Sequence, residues 1–457
     1  MEIKYRNKNF YKVYGFIEDF KTAINPGTLL MIVALITMVV ANSPLQDWYE
    51  SIWQLDFFFG VGDFNLLSHH GHALNLLHVI NDGIMTVFFF SVGLEIKREV
   101  LVGELSSFRQ AMLPIIAAFG GMIVPVLIFY GTGTAQGFNP EEMKGMAIPM
   151  ATDIAFSIGI LSLLGKRVPL SLKIFLLALA IVDDIGGILV IAIFYSNFSM
   201  ESFIDLGIAV LFFGVLMAGN RLRVNNKLFY FINGLAIWFL FLQAGIHPTI
   251  SGVLVAFTVP ACPQLDLKRF TSGLKHDIEV LETTIKGKEG DNIVLSNNQV
   301  HYLGRIEAAA DHVISPLQDM EDNLHDVVNY IIMPLFAFAN AGVVFNSSSI
   351  NLFEGVSLSI FLGLVVGKMV GIFLFTWLAI KMRVGRIPSG MKWSSLGGVS
   401  MLGGVGFTVA LFLAGLSYPA GSELLNSAKM GIIAGSVVAG LGGYLWLRYV
   451  LRSAALR

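Results

Sequence analysis

The sequence predicts an all-α polytopic membrane protein of about 12 transmembrane helices, with inverted repeats in which two helices are interrupted. Three observations carry that reading. Of 457 residues, 55% are hydrophobic and only 14% charged, giving a mean hydropathy of +0.71, a composition that excludes a water-soluble globular domain. Apolar runs of about 20 residues, the length that crosses a bilayer core of about 30 Å, recur between short polar loops. Two of these runs, around Pro149 and Gly403, contain residues that break a helix.

Residues 1–23 carry both charge signs (Lys4, Arg6, Lys8, Lys12, Glu18, Asp19, Lys21) and no clean small-residue cleavage site follows, so they read as a cytoplasmic leader, not a signal peptide. Twelve spans follow by hydropathy, at 24–41, 76–100, 110–130, 146–164, 171–195, 203–219, 228–241, 246–261, 325–345, 356–380, 395–416 and 427–450. The first eight occupy 24–261 and the last four 324–457, with a short cytoplasmic C-terminus; 262–323 is a cytoplasmic loop. Lys97, Arg98, Arg109, Lys166, Arg167, Arg221, Arg223, Lys227, Lys381, Arg383, Arg386, Lys392, Arg448 and Arg452 all fall on one side, whereas loops 42–75, 196–202 and 346–355 contain no Lys or Arg. Positive charge stays inside, so both termini are expected in the cytoplasm and the span number is even.

Between the spans, Trp48 to Asn65 has the aromatic residues and glycines of a small outside hairpin. His69, His70 and His72 beside it read as a solvated loop, because no carboxylate or cysteine stands at metal-ligand spacing. In the 262–323 loop, Lys286 to Asn292 reads as a turn between two short amphipathic stretches. The single cysteine, Cys262, excludes a disulfide framework and a thiolate metal cage.

Ionisable residues inside spans are the functional signal, since a charge at that depth costs on the order of 3 kcal/mol. Asp183 lies twelve residues into its span, about 18 Å at 1.5 Å per residue, and Asp153 and Lys368 reach the same layer by the same count. Adjacent helical residues diverge by about 100°, so Asp183 and Asp184 face different neighbours, one of them a cation cavity. Span 4, Gly145-Met-Ala-Ile-Pro149-Met-Ala-Thr152-Asp153, loses a backbone donor just before its polar pair. Span 11, Gly397-Gly398-Val-Ser-Met-Leu-Gly403-Gly404-Val-Gly406-Phe-Thr408, permits unwound backbone. Interrupted spans in matching places of two halves point to a secondary transporter's binding site, with spans 3–5 and 10–12 as the inverted repeats.

The segments Ala151-Thr152-Asp153-Ile-Ala-Phe, Leu-Leu-Gly-Lys-Arg-Val-Pro169 and Leu-Ala-Ile-Val-Asp183-Asp184 together closely resemble the bacterial NhaA-type sodium/proton antiporters. Asn81-Asp82, Val92-Gly-Leu-Glu95-Ile-Lys97-Arg98-Glu99, Pro334-Leu-Phe-Ala-Phe-Ala-Asn340-Ala-Gly342, Gly367-Lys368 and Gly404-Val-Gly406-Phe407-Thr408 extend the resemblance over nearly the whole chain. It implies that spans 4 and 11 cross, that Asp183 and Asp184 form the Na+ (or Li+) and proton site, that Thr152 and Asp153 sit at the crossing, and that Lys368 compensates charge and exchanges a proton against Asp184. It further implies electrogenic exchange of internal Na+ for external protons in the bacterial inner membrane, and no enzyme activity or cofactor. Beyond lipid, the expected partners are the transported ions and a second copy joined through the 45–65 outside loop. The resemblance also places pH sensing at Glu95, Arg98, Glu99, Glu321 and His325, with His247 as a further candidate and Asp322 where a second histidine is expected.

Two other classes share parts of this pattern. An intramembrane aspartyl protease also needs two membrane aspartates sharing a proton, but its Tyr-Asp and Gly-x-Gly-Asp signatures are missing around Asp183 and Asp184. Sodium-coupled symport of an organic solute fits the broken helices and lacks a solute motif. No nucleotide fold or nucleic-acid patch competes.

Overall fold

A computed structural model of the chain describes residues 24–58, 60–61, 64–65, 68–69, 72–196, 202–263, 265–285, 295–344, 352–385 and 390–455. The expected leader at 1–23, the turn at 286–292 and His70 lie outside the described residues. Helix α1 (Pro26–Ala41) starts on Asn25, whose side chain accepts the Gly27 N–H at 3.1 Å, with proline at the first helical position. Helix α2 (Gln46–Trp53) follows, bent by 112°.

That helix corrects the hairpin expected from Trp48. Tyr49 and Trp53, four residues apart, both turn onto Phe338, ring centroids 5.7 Å away, so the aromatic period there is helical, not alternating. Extended pairing begins later, as two antiparallel ribbons, β1 (Gly60–Val61) with β2 (Phe64–Asn65) and β3 (Ser68–His69) with β4 (His72–Ala73).

Span 2 is α3 (Leu76–Leu101), which includes a π-helical turn at Val79–Ile84 that hydropathy does not register. Then come α4 (Phe108–Gln136), the broken pair α5 (Pro140–Met150) and α6 (Ile154–Ser162) bent by 42°, and α7 (Leu170–Phe194). Spans 6 to 8 are α8 (Phe203–Arg221), α9 (Lys227–Gln243) and α10 (Thr249–Thr258). In the 262–323 segment, α11 (Leu267–Ile285) and α12 (Asn297–Val313) pack on each other, with Arg305 3.4 Å from Asp277. Span 9 lies within α13 (316–340), whose polar first turns start at Pro316, well before the expected span at 325, because Ser315 accepts the Gln318 N–H and proline fills the first position. The last elements are α14 (Gly355–Lys381), the broken pair α15 (Trp393–Leu402) and α16 (Phe407–Ser417) bent by 43°, and α17 (Glu423–Ala455).

Among the described residues, six helices are long and apolar enough to cross a membrane, nine counting bent pairs. The shorter α9 and α10, and α13, lie on the other expected spans. Exposed apolar side chains such as Val210, Leu211 and Leu445, each at least 60% accessible, form an exterior suited to lipid. The chain is a multi-pass membrane protein.

One seam positions the site. Glycines 363, 367 and 371 repeat every four residues on α14 and lie against α4 and the end of α5. A Cβ on Gly371 would stand 2.1 Å from Gly120 O, and one on Gly120 2.3 Å from Gly371 O. Small residues thus let two backbones touch, as membrane helix pairs require without a hydrophobic driving force. The consequence is that Lys368, one turn from Gly371, is fully buried.

Candidate cation site at the helix crossing

The two broken spans meet at their breaks. Residues 151–153 are extended between α5 and α6, and their backbone lies against 403–406 between α15 and α16. Asp153 N–H donates to Val405 O (2.7 Å), and Thr152 Oγ1–H donates to Gly403 O (2.8 Å). A Cβ on Gly406 would stand 2.8 Å from Ala151 O, so glycine permits this approach.

At the crossing, α6 and α16 both begin on Asp153. Its Oδ1 accepts the Phe156 N–H (2.9 Å), and its Oδ2 accepts the Thr408 N–H (3.1 Å) and the Thr408 hydroxyl. Each helix N-terminus carries roughly half a positive charge, and this one buried carboxylate faces two of them. The complementary ends of α5 and α15 present carbonyls. There Lys368 Nζ donates to Thr152 Oγ1 (2.8 Å), whose own proton goes to Gly403 O, so ammonium and hydroxyl together answer the negative ends.

Lys368 Nζ also donates to Asp183 Oδ2 (2.6 Å), a pair with 0% and 1% side-chain exposure. Its partner is therefore Asp183, where exchange with Asp184 was expected. The α4–α14 seam delivers the amine to the Thr152 side of α7, and Asp184 is turned about 100° away. The other Asp183 oxygen, Oδ1, is buried and accepts no hydrogen bond from the described residues. Asp184 faces a cavity of about 250 Å³, which Thr152, Asp153 and Thr408 also line, and which reaches Glu95, His325 and Asn329 toward the basic-loop end of the bundle.

The remaining candidates divide. Arg98 links Glu321 (3.1 Å) and Glu99 (3.3 Å) near that mouth. Glu321, in the polar first turns of α13 ahead of the expected span at 325, has its carboxyl pushed up to about 7 by burial, with Arg98 opposing the shift and Glu95, Asp322 and Glu99 adding to it. His325 Nε2 is 3.2 Å from Asn329 Nδ2. His247 belongs elsewhere: it lines a second cavity, of about 920 Å³, at the hairpin end, with Nδ1 2.7 Å from Thr249 Oγ1 and Nε2 3.7 Å from Asp82.

Thr408 was missed as a site residue, although a hydroxyl one position into a half-helix after Gly-Val-Gly was a usable signal. Asp82 was likewise read only as part of a motif. Among the described residues, no group of three or more His, Cys, Asp or Glu side chains is placed to hold a metal ion.

The family described as Na+/H+ antiporter 1 matches residues 18–447. A Na(+)/H(+) antiporter NhaA of Phocaeicola vulgatus is 52% identical over 451 residues, covering 98% of both chains. One of Bacteroides thetaiotaomicron is 51% identical over 93% of this chain and 94% of its own, and one of Sulfurimonas denitrificans 41% identical over 97% and 98%. With the crossed breaks and their buried charges, these likenesses place the chain in the Na+/H+ antiporter 1 family.

Proposed function

We propose that this protein exchanges internal Na+ (or Li+) for external protons across the bacterial inner membrane. The observation that carries the reading is the imbalance of hydrogen bonds: Asp153 is saturated with donors, while Asp183 keeps one buried oxygen without a donor and the adjacent Asp184 lines a cavity. Carboxylate oxygens suit a hard cation such as Na+. A proton and a Na+ each neutralise the same charge, so one site serves both in turn.

Charge counting gives the exchange ratio. In the proton-loaded state Asp184 is neutral and Lys368 is an ammonium on Asp183, for a net charge of zero. When Na+ enters between Asp183 and Asp184, Asp184 gives up its proton and Lys368, displaced from Asp183, gives up another. The loaded site then carries one negative charge. More protons than sodium ions move per cycle, and the exchange is electrogenic.

The alternation of basic loops supports cytoplasmic termini, which makes the 250 Å³ cavity the cytoplasmic approach and the 920 Å³ cavity the external one. Protonation in the cluster of Glu95, Arg98, Glu99, Glu321 and His325 at that approach adjusts activity with pH. The short ribbons at 60–73 support pairing with a second copy through the 45–65 region, since two-stranded ribbons leave strand edges to be covered. The test is Na+-dependent dissipation of a pH gradient in vesicles. It should vanish in Asp183→Asn, Asp184→Asn; persistence at full rate overturns the reading.

A further inference from the structure

The 920 Å³ cavity holds charged groups that exchange at the crossing leaves unused. Glu141 and Lys144, on its wall, pair with each other at 2.6 Å, and Lys429 donates to Gly342 O at 3.4 Å. Asp82 differs: among the described residues it has no Lys or Arg within ion-pair distance, only His247, and its side chain is 15% exposed. It sits in the π-helical turn of α3, a local distortion that is frequent at functional sites. Its carbonyl is held by Trp238 Nε1–H (2.9 Å) and by the Thr86 hydroxyl. Beside it Asn81 and Asn340, which line the same cavity, exchange amide hydrogen bonds at 2.9 and 3.4 Å, each oxygen keeping a second lone pair.

An aromatic layer around Phe412 stands one helical turn from the crossing, on the wall of the cavity that Asp82 lines. Phe412 on α16 lines the large cavity, and its ring meets His247 and Phe89 at 5.5 Å each and Phe336 at 6.3 Å. One helical turn earlier, Thr408 lines the small cavity and bonds Asp153. Phe412 thus borders both the crossing and the cavity that Asp82 lines.

We propose that Asp82, with the Asn81 and Asn340 amide oxygens, is a second binding station for the transported monovalent cation, on the hairpin side of the Phe412 layer. This rests on the exchange reading above. The test measures the Na+ KM of exchange separately at each face, in everted and right-side-out vesicles. Asp82→Asn raises KM at the hairpin face about fivefold, equivalent to about 1 kcal/mol for one solvent-facing charge contact, and leaves the opposite face unchanged. Cys262 is the single cysteine, so in a Cys262→Ser background Asp82→Cys can be modified selectively. An anionic methanethiosulfonate lowers the hairpin-face KM again and a cationic one does not, which a purely structural role would not produce. Equal changes at both faces, an unchanged hairpin-face KM, or identical effects of the two reagents overturn the station. Wild-type vesicles with no exchange at either face overturn the exchange reading instead.

Discussion

Replacing Asp153 with Asn separates a carboxylate that holds two helices from one that only binds cargo. The two oxygens serve different helices, Oδ1 accepting from Phe156 N–H at 2.9 Å and Oδ2 from Thr408 N–H at 3.1 Å. An amide of the same shape has one oxygen, so whichever way it turns, its NH2 points at a backbone N–H of one helix. The lost charge-assisted bond is worth about 1.5–3 kcal/mol, and the lost charge opposite two helix ends about 0.3–1 kcal/mol per end. The expected destabilisation is therefore about 2–5 kcal/mol. With about 2.1 cal/mol/K of unfolding entropy per residue, a chain this long loses roughly 1 °C per kcal/mol, so Tm should fall by about 2–5 °C. The six tryptophans report the transition by fluorescence in detergent. Thr408→Val, which keeps the amide and removes only the hydroxyl, should lower Tm by less. Were Asp153 only a cation ligand, the amide would relieve a buried charge, and Asp153→Asn would melt at or above the wild type; that result refutes the capping role.

The seam is the second target: Gly371→Ala puts a methyl about 2 Å from the Gly120 carbonyl and should cost at least about 1–3 kcal/mol as overpacking, whereas Gly131→Ala, with nothing within 4 Å, should leave Tm unchanged. Lys368→Gln removes one partner of a buried pair, a loss of about 3–5 kcal/mol; if the protein is still made, exchange should become electroneutral, and persistent charge movement in a solid-supported-membrane current would sink the two-proton count. Glu321→Gln addresses pH. The folded carboxyl titrates near 7 against an ordinary 4.5, so the stability tied to its neutral form is complete below about 4.5 and lost as pH rises through about 7. Glutamine stays neutral, so the variant should be as stable as the wild type at pH 4 and more stable at pH 8, with a flatter activity profile around 7. An unchanged profile removes Glu321 from the sensing cluster.

The features legible in sequence were those written as composition or as a residue that does not belong. Apolar runs located the spans, Pro149 and the Gly403–Gly406 glycines marked the breaks, and Asp153, Asp183, Asp184 and Lys368 stood out because each is costly where it lies. What was missed depends on contacts between distant segments. A π turn at 79–84 changes no hydropathy. The helix at 46–53 arises from Tyr49 and Trp53 closing onto Phe338, a partner almost 300 positions away. That Lys368 meets Asp183 follows from the rotation of α14, which the Gly120–Gly371 contact sets, and spacing along one helix carries no information about rotation against another. Thr408 stood in the sequence only as the end of a glycine motif, and its role depends on a hydroxyl and an amide that both reach Asp153, 255 positions away.

The site divides by how completely each carboxylate is satisfied. Asp153 receives two backbone N–H groups and a hydroxyl; drawing it away from the helices would uncap both, so its place is to hold the crossing together. Asp183 gives one oxygen to Lys368 and keeps the other unbonded, and Asp184 faces the cavity. These two can trade partners, as the proposed exchange requires, without dismantling secondary structure. Lys368 connects the roles, since its amine also bonds the Thr152 hydroxyl that reaches Gly403 O. Displacing it from Asp183 removes positive charge from the carbonyl ends of α5 and α15, while Asp153 keeps the opposite ends fixed. In the proposed exchange, cation arrival would therefore loosen one pair of half-helices and leave the other capped, an asymmetric change at the point where the two broken spans touch.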